Sequence, residues 1–100
     1  VIKKPTILQY GTRYTDANEQ LLAWLAEVKQ ANWRTQNDIL EKFPRTDFPG
    51  NHTAVFDIKG TRYRLIVRIY YASENSKGRV YIRWFGLHKD YDRIKDVKKI

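Results

Sequence analysis

The chain has 100 residues, 42% hydrophobic and 14% aromatic, with no cysteine and a net charge of +8. That is enough for one packed core but not two, and too apolar for a disordered tail; it excludes disulfides, thiol catalysis and cysteine-ligated zinc. The charge is uneven: residues 1–50 carry seven Lys or Arg against six Asp or Glu (+1), and residues 51–100 carry twelve against five (+7). An anion-binding surface is therefore expected in the second half, with a merely solvated basic surface as the plain alternative.

No apolar run approaches the roughly 20 residues of a membrane helix. The start Val1-Ile2-Lys3-Lys4-Pro5 is too short and basic to read as a signal segment, so a cytoplasmic protein without membrane partners is expected. Asn51-His52-Thr53 matches a glycosylation sequon and, without such a signal, reads as coincidence. One domain spanning residues 1–100 is expected.

Residues 1–15 offer only Ile2, Ile7, Leu8 and Tyr10 as packing points. From Asp16 as N-cap, with Glu19 three residues on, Leu21, Trp24, Leu25 and Val28 recur at helical spacing to about Ala31. A second helix starts at Thr35 with Asp38 at the capping-box offset, carries Ile39, Leu40 and Phe43, and stops at Pro44; Trp33 packs in the elbow.

Pro44 to His52 reads as a loop, then Thr53 to Ile58 as a strand with Ala54, Phe56 and Ile58 on one face. Lys59-Gly60-Thr61 makes a tight connection to a strand whose Arg62, Arg64 and Arg68 face one way and whose Tyr63, Leu65, Val67, Ile69 and Tyr71 face the other. After the turn-rich segment Ser73 to Gly78, Arg79, Tyr81 and Arg83 alternate with Val80, Ile82 and Trp84 up to Leu87. A short helix from near His88 carries Tyr91 and Ile94 into a basic, frayed tail. The pattern predicts an α+β fold: a three-stranded antiparallel meander with two helices on its apolar face and arginines on the other.

Arginines on that open face can grip phosphate oxygens with a planar donor fork; a cross-strand ion pair with Asp57 is the competing reading. His88 is the natural proton carrier near neutral pH, beside Arg83, Lys89 and Tyr91; His52, without such company, reads as structural. Tyr91, one helical turn on from His88, can transfer protons only if the surrounding cations lower its pKa; otherwise it is an aromatic that packs or stacks on a base. His88 and Asp92 have helical metal-pair spacing, but two ligands leave a site incomplete, so no metal or other cofactor is expected. RNA carries its own nucleophile, the 2′-hydroxyl, and needs only a base, an acid and a phosphate clamp.

The run Val55-Phe56-Asp57-Ile58-Lys59-Gly60-Thr61-Arg62-Tyr63-Arg64-Leu65-Ile66-Val67-Arg68-Ile69, with Arg79-Val80-Tyr81-Ile82-Arg83, Gly86-Leu87-His88-Lys89-Asp90-Tyr91-Asp92 and the upstream Trp24 to Trp33 segment, resembles the HigB family of bacterial toxins in the RelE-like superfamily. The resemblance implies a compact RelE-like domain with two N-terminal helices and a short C-terminal one. It also implies an endoribonuclease that cuts messenger RNA on the ribosome and is neutralised by a HigA-type helix-turn-helix antitoxin, with operator DNA reached only through that antitoxin. On this pattern His88, Tyr91, Arg64 and Arg83 form the expected catalytic set, and Lys59, Arg62, Arg68 and Lys89 the expected RNA phosphate contacts. Thr61 and Leu87 stand where the family often has Asn and Thr. A gyrase-poisoning ParE-type toxin and a non-catalytic RNA-binding module are the alternatives.

Overall fold

The computed structural model describes residues 14–75 and 77–97. Ile2, Ile7, Leu8, Tyr10 and the end of the basic tail lie outside them. After a single 3-10 turn, Thr15–Ala17, helix α1 runs Asn18–Gln30 and buries Leu21, Trp24, Leu25 and Val28. The expected Asp16 cap is not used, and the α1 N-cap, Ala17, offers no side-chain bond. Asp16 accepts instead from the Tyr63 hydroxyl, at 2.5 Å. A hydrogen bond to an ionised carboxylate, reinforced by cations, outweighs one backbone N–H at the helix start.

Helix α2 spans Gln36–Lys42 and opens with the full capping box of Thr35 and Asp38. Trp33 is buried in the elbow, stacked on Phe56 and edge-on to Phe43, each 6.3 Å away. The Ala72 N–H donates to its carbonyl, tying the elbow to the end of the sheet.

The sheet has four antiparallel strands in sequential order, one more than expected: β1 Asp47–Gly50, β2 Thr53–Ile58, β3 Tyr63–Tyr70 and β4 Arg79–Leu87. β1 lies inside the segment that reads as a loop. Its contact with β2 is brief, Asp47 opposite Val55 and Gly50 opposite Thr53, and Pro49 is tolerated because the strand is an edge. Asn51 and His52 close this hairpin with φ of 51° and 60°, the left-handed pair that a two-residue turn demands.

Lys59 and Gly60 are also left-handed, at 55° and 64°, and the Arg62 N–H bonds back to the Lys59 carbonyl. Arg62 thus belongs to the turn. The face of β3 that was expected to carry three arginines carries Arg64 and Arg68.

The β3–β4 ladder holds a larger departure. Ile66 is opposite Trp84 but Val67 is opposite Ile82, so Arg83 is an extra, bulged residue. Before it Val80 and Ile82 face the helices; after it Phe85 takes that role and Trp84 moves to the arginine face. The expected Val80, Ile82, Trp84 alternation is broken by one inserted residue.

Helix residues Leu21, Trp24, Leu25, Val28 and Ile39 meet Ala54, Phe56, Ile58, Leu65, Val67, Ile69 and Phe85 in one core. Phe56 lies at its centre, 1% exposed, with Trp24, Trp33 and Phe43 around it. Phe56→Ala is expected to lower the folding free energy by about 3–5 kcal/mol, against the roughly 5–15 kcal/mol of a whole domain. Urea denaturation measures this; a loss below about 1 kcal/mol would count against this packing.

Candidate active site

The arginine face is not uniformly open to water. Val55 and Ile66 are fully buried, paired across β2 and β3, with Trp84 next in line on β4. This apolar bar divides the face into two polar regions. Toward the start of β3 lies the row Asp57, Arg64, Gly86; on the other side lies the row Thr53, Arg68, Tyr81.

Arg64 is the centre of the first region. Its Nε lies 2.9 Å from Asp57 Oδ1, with side chains 18% and 12% exposed. The approach is off-axis, an ion pair without an aligned hydrogen bond. The expected cross-strand pair with Asp57 is therefore present, and Arg64 also reaches elsewhere: its second terminal nitrogen lies 3.1 Å from His88 Nε2 and its guanidinium carbon 4.9 Å from the centre of the Tyr91 ring. That last contact is a cation–π approach.

His88 is delivered by chain geometry. β4 ends at Leu87 and the one-turn helix α3, His88–Tyr91, starts at once. Leu87, the N-cap, gives no side-chain cap, and the His88 N–H bonds across to the Arg62 carbonyl at 2.9 Å. The imidazole then spans two partners, Arg64 at Nε2 and Asp92 Oδ2 at Nδ1, 3.2 Å away. A guanidinium can only donate, so Nε2 accepts and the neutral ring carries its proton on Nδ1, toward Asp92. His88 is 35% exposed and reachable from solvent.

Gly86 makes room for this arrangement. A Cβ there would stand 2.9 Å from the Trp84 ring, which lies over the glycine. Trp84 in turn sits 6.4 Å from the Tyr91 ring. The Tyr91 hydroxyl is shifted opposite to expectation. Burial pushes its pKa up and the carboxylates of Asp47, Asp92 and Asp57 add to this, while Arg64 alone among the named causes pulls it down. Tyr91 keeps its proton more firmly than a free tyrosine, which makes it a weaker acid: it can give that proton only to a strongly basic oxygen and does not meet the expected condition of a lowered pKa.

The structure thus brings together Arg64, His88 and Tyr91. Sequence reasoning did not place Trp84 here; its signal was the pair of large apolar neighbours Trp84-Phe85, which strict alternation does not allow. Lys59 and Arg62 are gathered elsewhere, on Asp16, at 3.5 and 3.4 Å. Lys89 is exposed on α3. Arg68 and Arg83 line a groove of ≈ 540 Å³ across the apolar bar, with Tyr70, Tyr71, Lys77, Arg79 and Tyr81. Among the described residues no three His, Asp or Glu side chains are placed to share a metal ion.

Residues 17–94 match the HigB toxin family, the RelE-like toxic component of a toxin–antitoxin system. The chain belongs to this family. A search of curated proteins returned no match. The matched region contains both polar regions of the arginine face, and the helices, antiparallel sheet and short C-terminal helix agree with the α+β RelE-like fold expected. A toxin of such a system implies an antitoxin partner. No helix among the described residues is long and apolar enough to cross a membrane.

The Asp16 cluster makes a pH prediction. The Tyr63 hydroxyl foremost holds the Asp16 carboxyl below its usual value; burial opposes it as the next effect, and the Lys59 and Arg62 charges add to the lowering. A depressed carboxyl contributes stability above its unfolded pKa and loses it as pH falls through the folded value. Tyr63→Phe is expected to raise the Asp16 pKa toward its unfolded value, which lowers stability at neutral pH and shrinks the part of it that is lost in acid. Carboxyl-carbon NMR titration reads the first effect directly, and an unshifted Asp16 resonance would refute the link.

Proposed function

We propose that this toxin is an endoribonuclease that cuts messenger RNA on the ribosome, without a metal, and that a HigA-type helix-turn-helix antitoxin holds it inactive. The observation that carries this reading is the His88 imidazole suspended between Asp92 and Arg64, with a protonated tyrosine beside it. In this mechanism the scissile phosphate draws the Arg64 guanidinium onto its oxygens and releases His88 Nε2. Nε2 takes the proton of the 2′-hydroxyl, whose oxygen bonds to phosphorus as the P–O5′ bond breaks. The departing 5′-oxygen takes the Tyr91 proton. The products are a 2′,3′-cyclic phosphate and a 5′-hydroxyl, and solvent returns the His88 proton to Tyr91.

Asp92 holds the tautomer and supports the imidazolium as it forms. Arg64 stabilises charge on the phosphorane-like transition state, while Arg68, Arg83 and Lys89 hold flanking phosphates. Lys59 and Arg62, neutralised in part by Asp16, contribute at the margin of the site. The protein acts in the cytoplasm, where its ribosomes are, and touches operator DNA only through the antitoxin.

His88→Gln preserves size and much of the hydrogen bonding. It is expected to leave ribosome binding nearly intact and to slow single-turnover cleavage by about 10²-fold or more. Cleavage at the parent rate under saturating ribosomes would remove His88 from the chemistry and leave a binding module.

The site is a shallow face, so the ribosome is expected to supply positioning. Message in translating ribosomes should be cut far faster than the same RNA free in solution. Mapping of RNA ends under both conditions decides this, and equal rates would contradict it.

A further inference from the structure

The groove beyond the Val55–Ile66–Trp84 bar differs in chemistry from the His88 site. Arg68, Lys77, Arg79 and Arg83 line it with three tyrosines, and no carboxylate stands among the described residues that form its walls. Tyr70 and Tyr81 are 40% and 37% exposed, unusual for large aromatic side chains. Their rings stand 5.9 Å apart, nearly perpendicular, and the His52 ring stacks on Tyr70 at 4.7 Å. Four cations alone would suit any polyanion. Partly exposed aromatic rings set among those cations suit unpaired nucleobases joined by phosphates.

Position adds to composition. Arg64, Arg68 and Tyr70 share one face of β3, so along the strand the groove begins about 13 Å from Arg64 and extends to about 20 Å. A polynucleotide lying along β3 with one phosphate at Arg64 would therefore place neighbouring nucleotides in it. We infer that this groove is a second subsite, for unpaired RNA nucleotides flanking the phosphate to be cut, in which bases stack on Tyr70 and Tyr81 while Arg68, Lys77, Arg79 and Arg83 take the phosphates. The inference deepens the ribonuclease reading and rests on it for the direction of the strand, but binding here needs no cleavage.

The test uses the full chain and a fluorescent six-nucleotide RNA with 2′-O-methyl groups, which cannot be cut, read by anisotropy at fixed salt. Tyr81→Ala is expected to weaken binding by about 5- to 150-fold, the range for loss of one stacked base, while Tyr81→Phe keeps the parent affinity. Arg79→Ala should flatten the dependence of log affinity on log salt by about 0.7. His88→Gln should bind this RNA as the parent does, so a failure of the catalytic reading and a failure of the groove give different results. Equal affinity of the Ala and parent chains would overturn the inference, as would equally tight binding of a duplex or of the same strand lacking its bases. Tighter binding of poly-glutamate than of RNA would also overturn it, by making the groove a seat for an acidic protein segment.

Discussion

The extra residue at Arg83 is the constraint on which the functional face depends. Without it, strict alternation through β4 would turn Trp84 and Gly86 toward the helices and Phe85 toward the arginines. With it, Phe85 reaches Leu65 in the core, Trp84 crosses to Ile66, and Gly86 sits opposite Arg64. The glycine is then required, because the Trp84 ring covers it. One position later β4 ends and His88 enters beside Arg64. A bulge also sharpens the local strand twist.

The sheet and its β2–β3 turn hold the cations of a half-chain with net charge +7 in settings that are not equivalent. Near the β2–β3 turn, Asp16 takes Lys59 and Arg62 and is itself fixed by Tyr63. In the row beside it Asp57 takes Arg64, half-buried, where an isolated guanidinium would be costly. The groove across the apolar bar has no such acid among its described walls. The cations therefore stand in three settings: at the turn with Asp16, at Arg64 between Asp57 and His88, and among the tyrosines of the groove.

Much of this was legible in the sequence, for physical reasons that also mark where legibility stopped. Leu21, Trp24, Leu25 and Val28, and Ala54, Phe56 and Ile58, declare themselves because burial imposes a period. The Thr35–Asp38 box is local chemistry within four residues. Arg64, His88 and Tyr91 read as one set with Arg83, by face, by helical spacing and by resemblance, but Arg83 lines the groove across the apolar bar. β1 was missed because an edge strand of four residues containing proline has too little ladder to leave a pattern. Asp16 was misassigned because its true partner, Tyr63, is 47 residues away. The bulge left only the Trp84-Phe85 adjacency, and with it went the true facing of Trp84 and the split of the arginine surface.

The sign of the Tyr91 shift carries the last step. Counting cations alone makes a lowered pKa the condition for proton transfer by Tyr91, with packing or base stacking as its other role. The folded face instead buries the phenol and brings three carboxylates near it, so its proton is held more tightly. His88 moves the other way in role: its Nε2 lone pair is accepting from Arg64, and only a competing anion can draw that donor off. In the cleavage proposed above, His88 Nε2 therefore takes the base role, and Tyr91 gives its proton only to the strongly basic departing 5′-oxygen. The asymmetry comes from burial and from one shared arginine, neither of which composition records.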